Sequence, residues 1–184
     1  MRKPQKNLVQ KIEDLERMAK GLTLLSENDS FHEIKTSCLK VWKETLNRFI
    51  EEVEPVYMYY DTLCKSIANV TLENLVEIYD SEHEIEKNAH ATVQTDELMQ
   101  KFEYLGKMIK GLSCLVEYER FPELETQYLD YWEIDINQFK DNAKPQYAHY
   151  DALCKHHTNT TLDNLADLYD SKHCYDNDTT PHIG

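Results

Sequence analysis

The stretch LVQKIEDLERMAKGLTLL, Leu8 to Leu25, decides the fold. Its apolar residues Leu8, Ile12, Leu15, Ala19, Leu22 and Leu25 recur at alternating steps of four and three, the stripe of an amphipathic helix with one buried face. Ninety positions later the chain reads LMQKFEYLGKMIKGLSCL, Leu98 to Leu115, with the same stripe. The echo extends well beyond this helix. Residues 8–87 align with 98–177 without insertion or deletion, and 34 of the 80 pairs are identical. A period of this kind marks a repeated structural unit.

The sequence therefore predicts an all-α protein built by tandem duplication of a four-segment helical module. Two homologous helical bundles are expected to pack together about a pseudo-two-fold axis. The divisions are a flexible N-terminus (1–7), module 1 (8–87), a linker (88–97), module 2 (98–177) and a flexible tail (178–184). Four Gly and five Pro in 184 residues suit helices rather than a turn-rich β-protein. Modules of this size bury a marginal core alone, so they are expected to pack on each other.

Within module 1 the segments are expected at about 8–26, 31–53, 55–67 and 72–86. Gly21 and Gly111 interrupt the first stripe at equivalent places, where Gly costs about 1 kcal/mol relative to Ala, which implies a close crossing with another helix. Ser30 followed by Glu33 has the form of a capping box, and Pro122 suits a first helical turn. Pro55 and Pro145 predict either a kink or two abutting helices. Thr71 and Thr161 are placed to cap the last segment of each module. The repeated core is expected around Trp42, Tyr60, Cys64 and Tyr79 with their partners Trp132, Tyr150, Cys154 and Tyr169, joined by Leu15, Leu22, Phe31, Phe49, Leu63, Leu75 and their partners.

Charge narrows the function. Residues 1–94 hold 12 Lys and Arg against 17 Asp and Glu, residues 95–184 hold 8 against 17, and the net charge is −14. Binding to a nucleic-acid backbone needs clustered cations, and the one basic group is Arg2, Lys3 and Lys6. No nucleic-acid partner and no membrane span are expected, since no stretch has the apolar length of a span. Acidity favours a basic partner.

The five cysteines form an odd set in which only Cys64 and Cys154 correspond, which reads as a reduced, cytoplasmic protein with no signal peptide. The sequons at Asn28, Asn69, Asn159 and Asn177 point the other way, to secretion behind a removed leader. In format the chain resembles tandem death-effector domains, oomycete effector modules and the aphid effectors called bicycle proteins. The signature motifs of these families do not register here, and no family is adopted.

Chemistry is sparse. Cys64 with His83 and Asp80 has the composition of a nucleophile, base and orienting acid, but the glycine-rich turn of an oxyanion site is missing, and the same residues suit a core thiol and tyrosine hydroxyls handed to Asp61 or Asp80. No catalytic residue and no cofactor are assigned. Cys154, His157, His173 and Cys174 are the best zinc candidates, weak ones, because Ile67 and Glu84 replace His157 and Cys174 in the first copy. The aromatic residues either form the core or line a cavity for a small apolar ligand. The expected function is non-enzymatic binding of another protein through exposed helix faces. The alternatives are a carrier or sensor of a small apolar ligand, and a secreted effector of a parasite or insect. One candidate face stands out: Lys35, Lys40 and Lys43 of the first copy become Glu125, Asp130 and Glu133 in the second, so the two copies are expected to use this helix differently.

Overall fold

The computed structural model describes residues 4–82, 96–117 and 121–179. The described residues are almost wholly helical, with no strand among them. Six α-helices follow in order: α1 (Pro4–Ser26), α2 (Lys40–Ala68), α3 (Leu72–Glu82), α4 (Glu97–Glu117), α5 (Asp130–Thr158) and α6 (Leu162–Thr179). A short 3-10 turn (Asp29–Phe31) and a π-helical turn (Ile34–Leu39) precede α2, and a second π-helical turn (Leu124–Leu129) precedes α5. Module ends at 83–87 and the linker fall outside the described residues, apart from Asp96 and Glu97.

Local chemistry explains where the helices stop and start. Asn69 and Asn159 end α2 and α5 in the left-handed conformation, at φ 58° and 61°, and their backbone N–H groups close on Lys65 and Lys155 carbonyls. Asn tolerates this region better than most side chains, so it takes the place Gly often fills. Two residues on, Thr71 and Thr161 accept from the Asn74 and Asn164 N–H groups at 3.1 and 3.0 Å, the caps expected of them. A second acceptor arrives from a distance: Asp61 and Asp151 take the Leu72 and Leu162 N–H groups at 2.8 and 2.9 Å. The Asn-x-Thr triplets at 69–71 and 159–161 thus have a conformational cause.

Two boundaries differ from expectation. Pro55 and Pro145 do not divide their helices; α2 and α5 each run through the proline for 29 residues, about 43 Å at 1.5 Å per residue. Both prolines and the residues whose carbonyls they leave free, Glu51 and Asp141, face solvent, where water satisfies the carbonyl. The capping box is also replaced. Asn28 rather than Ser30 supplies the cap, accepting from the Ser30 N–H at 2.9 Å, and Glu33 precedes the π-helical turn without a side-chain cap.

The packing is interleaved rather than side by side. Helix α1 lies against α4, α5 and α6, and α4 lies against α1, α2 and α3. Each first helix therefore covers the long helix and the last helix of the opposite half, and touches its own half mainly through the π-helical turn. The two glycines mark these crossings. A Cβ on Gly21 would stand 2.6 Å from the Leu162 carbonyl oxygen, and one on Gly111 3.2 Å from that of Leu72. Beside them Lys20 pairs with Asp170 at 2.7 Å and Lys110 with Asp80 at 2.9 Å, positions again ninety apart. Between α2 and α5, Trp42 meets Phe139 edge-on at 5.7 Å and Phe49 meets Trp132 at 6.3 Å.

The core takes in Leu15, Leu22, Phe31, Trp42, Phe49, Tyr60 and Leu75, with Leu105, Leu112, Trp132 and Phe139. Leu63, Phe121, Tyr150, Leu153 and Leu165, expected there too, are only half-buried at its edge. Cys64, Cys154 and Tyr169 are buried, while the side chain of Tyr79 lies outside the described residues.

Candidate functional site

The densest sequence identity, Tyr60 to Lys65, resolves into structural roles. Asp61 caps α3 and takes the Lys65 ammonium at 3.2 Å; Tyr60 packs on Phe121 and donates its hydroxyl to Glu123 at 3.2 Å. The expected pairing of tyrosine hydroxyls with Asp61 or Asp80 is therefore not formed at Tyr60, because Asp61 serves the helix start and Asp80 is held by Lys110. Burial, with the Asp61 charge adding to it, pushes the Cys64 thiol above its ordinary value, the opposite of an activated nucleophile. Burial alone pushes the Cys38 thiol up to about 11. His83 lies outside the described residues.

The zinc candidates are not brought together. Cys154 is buried against Thr158, with which its sulfur is in hydrogen-bond contact at 3.4 Å, while His157 is exposed and stacks edge-on with Phe31 and His156. The side chains of His173 and Cys174 lie outside the described residues. Among those described, no group of three or more His, Cys, Asp or Glu is placed to hold a metal ion.

The charge-reversed face is where geometry adds most. In a π-helical turn the backbone bonds run from i to i+5, so residues five apart come onto one side of the helix, as they do not in an α-helix. The turn 34–39 thereby aligns Lys35 with Lys40, and the turn 124–129 aligns Glu125 with Asp130. The second alignment is visible electrostatically: burial first, then the Glu125 and Glu133 charges, push the Asp130 carboxyl above its ordinary range. The third member of each set is already paired within the molecule. Lys43 binds Glu97 at the start of α4 at 2.5 Å, and Glu133 binds Lys11 of α1 at 2.7 Å. Two of the six residues expected to meet an outside partner therefore join the halves of the molecule, while Lys35 and Lys40 are exposed and Glu125 and Asp130 half-buried. Periodicity alone did not reveal this, because counting assumed an uninterrupted α-helix.

Two further features were not read from the sequence. Tyr131 and Ile134, one turn apart on α5, are 63% and 62% exposed, and Val41, the counterpart of Tyr131, is 51% exposed. Between α1 and α4, burial raises the carboxyl groups of Glu13, Glu16 and Glu103, that of Glu16 to about 7. Like charges in the same seam add to the effect at Glu16, against the Lys20 ammonium. The concavities among the described residues include an apolar one of about 410 Å³ bounded by Cys64, Ile67, Val70 and Phe121, a polar groove of about 330 Å³ between α2 and α5, and one of about 550 Å³ beside the first π-helical turn.

No protein-family model matches the chain, and neither curated proteins nor solved structures give a significant match. No helix among the described residues is long and apolar enough to cross a membrane.

Proposed function

We propose that this chain is a tandemly duplicated, non-enzymatic binding protein whose outer α5 face, around Tyr131 and Ile134, receives a basic protein partner. The duplication reading is supported by contacts that recur ninety residues apart: the Gly21 and Gly111 crossings, the Lys20–Asp170 and Lys110–Asp80 pairs, and the two Trp–Phe pairs.

The binding reading rests on one observation. Isolated exposed apolar residues are ordinary on a protein surface, but Tyr131 and Ile134 expose about three-fifths of their surface on successive turns of one helix. Acidic residues flank them on the same helix, Asp130 and Asp135. Aromatic and aliphatic anchors inside a charged rim have the composition of a binding hot spot. A cation brought against Asp130 would offset the burial, and then the Glu125 and Glu133 charges, that raise its carboxyl above the ordinary range, which favours a basic partner.

The test is affinity capture followed by titration of the captured protein against wild type, Tyr131→Ser/Ile134→Ser and Val41→Ser. The expected result is a loss of about tenfold or more for the double variant, steeper binding at low salt, and little change for Val41→Ser. Unchanged affinity of a normally folded double variant would refute the reading. A cytoplasmic address is supported by the free, buried thiols of Cys38, Cys64, Cys114 and Cys154, and glycan on Asn28 or Asn69 in natively produced protein would overturn it.

A further inference from the structure

We propose that the concavity between the first π-helical turn and the start of α4 binds a small amphipathic acid, its carboxylate or phosphate head held by Lys35 and Lys40 and its apolar body by Leu39 and Leu98. At about 550 Å³ the concavity is within the range of small-ligand clefts.

Its charges are not balanced from within. Two carboxylates line it, but both are engaged: Asp96 accepts from the Met99 N–H at 3.0 Å, and Glu97 is held below the usual carboxylate range, chiefly by its hydrogen bond to Lys43. Lys101 reaches Glu97 from the same helix at 3.7 Å. Lys35 and Lys40 make no ion pair with any described residue. Lys35 on the π-helical turn and Lys40 at the start of α2 are both exposed and line the same concavity, so one anion can meet both.

The apolar half of the lining is built as firmly. Leu39 and Leu98 are 7% and 6% exposed and close the concavity from opposite elements. Thr23 of α1, also part of the lining, is 6% exposed, and its hydroxyl has no hydrogen-bond partner. The hydroxyl of its counterpart Ser113 is likewise buried without a partner, so this feature belongs to both halves and the acid is held by the lysines. In the second half the corresponding residues are Ser113, Glu125, Leu129, Asp130 and Glu133, which would repel an anion. The site is therefore single, and the stoichiometry is one acid per chain.

Calorimetric titration at pH 7.5 distinguishes the sources of the head group and tests the site, using decanoate, decyl phosphate, decanol and inorganic phosphate. The expected result is one decanoate or decyl phosphate bound per chain, with decanol and inorganic phosphate each weaker by about tenfold or more. Lys35→Gln/Lys40→Gln should lose about tenfold or more for both acids, and Lys35→Arg/Lys40→Arg should retain binding. Decanol binding as tightly as decanoate, two acids per chain, or wild-type affinity in the Gln double variant would each overturn the proposal. So would a ligand-free wild type that sediments as an oligomer dispersed by the Gln variant, which would place a second copy on this face. Tyr131→Ser/Ile134→Ser should bind decanoate normally, so this proposal and the protein-binding one fail separately.

Discussion

Replacing each of three helical glycines with alanine measures how tightly the two halves are interleaved. In a helix interior Ala is favoured over Gly by about 1 kcal/mol, so each substitution starts with the same gain. What the new methyl group meets then decides the outcome. At Gly106 nothing lies within 4 Å, and the gain should survive whole, a rise of about 2–4 °C in melting temperature for a chain of this size. At Gly111 the nearest atom is the Leu72 carbonyl oxygen at 3.2 Å, close enough that α3 must yield by a few tenths of an ångström. That cost roughly cancels the gain, leaving Gly111→Ala within about 1 kcal/mol of wild type. At Gly21 the Leu162 carbonyl oxygen would stand at 2.6 Å, a contact real Cβ atoms do not make, and it belongs to backbone rather than to a side chain free to turn. Helix α6 would have to back away, disturbing the Arg17–Asp163, Arg17–Asp167 and Lys20–Asp170 pairs that share the seam. Overpacking of this kind costs about 1–3 kcal/mol, and against the helix gain of about 1 kcal/mol it leaves a net loss of up to about 2 kcal/mol. Urea and thermal unfolding of all three variants should rank Gly106→Ala above wild type, Gly111→Ala near it and Gly21→Ala below it. A Gly21→Ala protein stabilised as much as Gly106→Ala would show that α1 and α6 do not cross at this glycine.

Truncating Trp42 or Trp132 to Ala should cost about 3–5 kcal/mol in urea unfolding, each removing a buried ring and its edge-on phenylalanine contact; a loss below about 0.5 kcal/mol would show that the ring is not part of the core. Glu16→Gln should stabilise the protein at pH 8 by about 1–2 kcal/mol more than at pH 5. The folded state keeps the Glu16 proton up to about pH 7 while the unfolded chain releases it near 4.5, so stability falls as pH rises through that window, and the full effect is discounted because solvent still reaches part of the side chain. Equal effects at both pH values would show that this carboxyl titrates normally. Cys38, Cys64, Cys114 and Cys154 should react with iodoacetamide only as the protein unfolds, and fast labelling of any of them in the native state, followed by mass spectrometry of peptides, would contradict their burial.

What the sequence made legible follows from local rules. The stripes of α1 and α4 reproduce the period of a helix with one buried side, and the Asn-x-Thr breaks carry their own capping chemistry, so elements and their order were readable. Gly21 and Gly111 also announced a close crossing. Their partners were not readable, because an apolar stripe states that it must be covered and is silent about which of several similar stripes covers it. With two near-copies present, α1 could satisfy the same pattern against α3 or α6. Pro55 left a kink and a break equally open, because its cost depends on whether the freed carbonyl meets water, a matter of tertiary position. The π-helical turns left no mark in a count made at 3.6 residues per turn, and for that reason the shared concavity of Lys35 and Lys40, and the ion pairs of Lys43 and Glu133 within the molecule, emerged only from the structure.

The crossing of α1 with α6 also sets a timetable. During synthesis α1 leaves the ribosome with Leu8, Ile12, Leu15 and Leu22 ready to be covered, yet the helix that covers one side of it begins at Leu162. At about 5–20 residues per second, that interval is on the order of ten seconds or more. For all of it the nascent chain displays an apolar stripe that suits α3 of its own half, and equally the α6 of another molecule finishing nearby. Chaperone capture of nascent chains, and a yield that falls when many are made at once, are the cellular costs of a protein whose first helix is completed by its last.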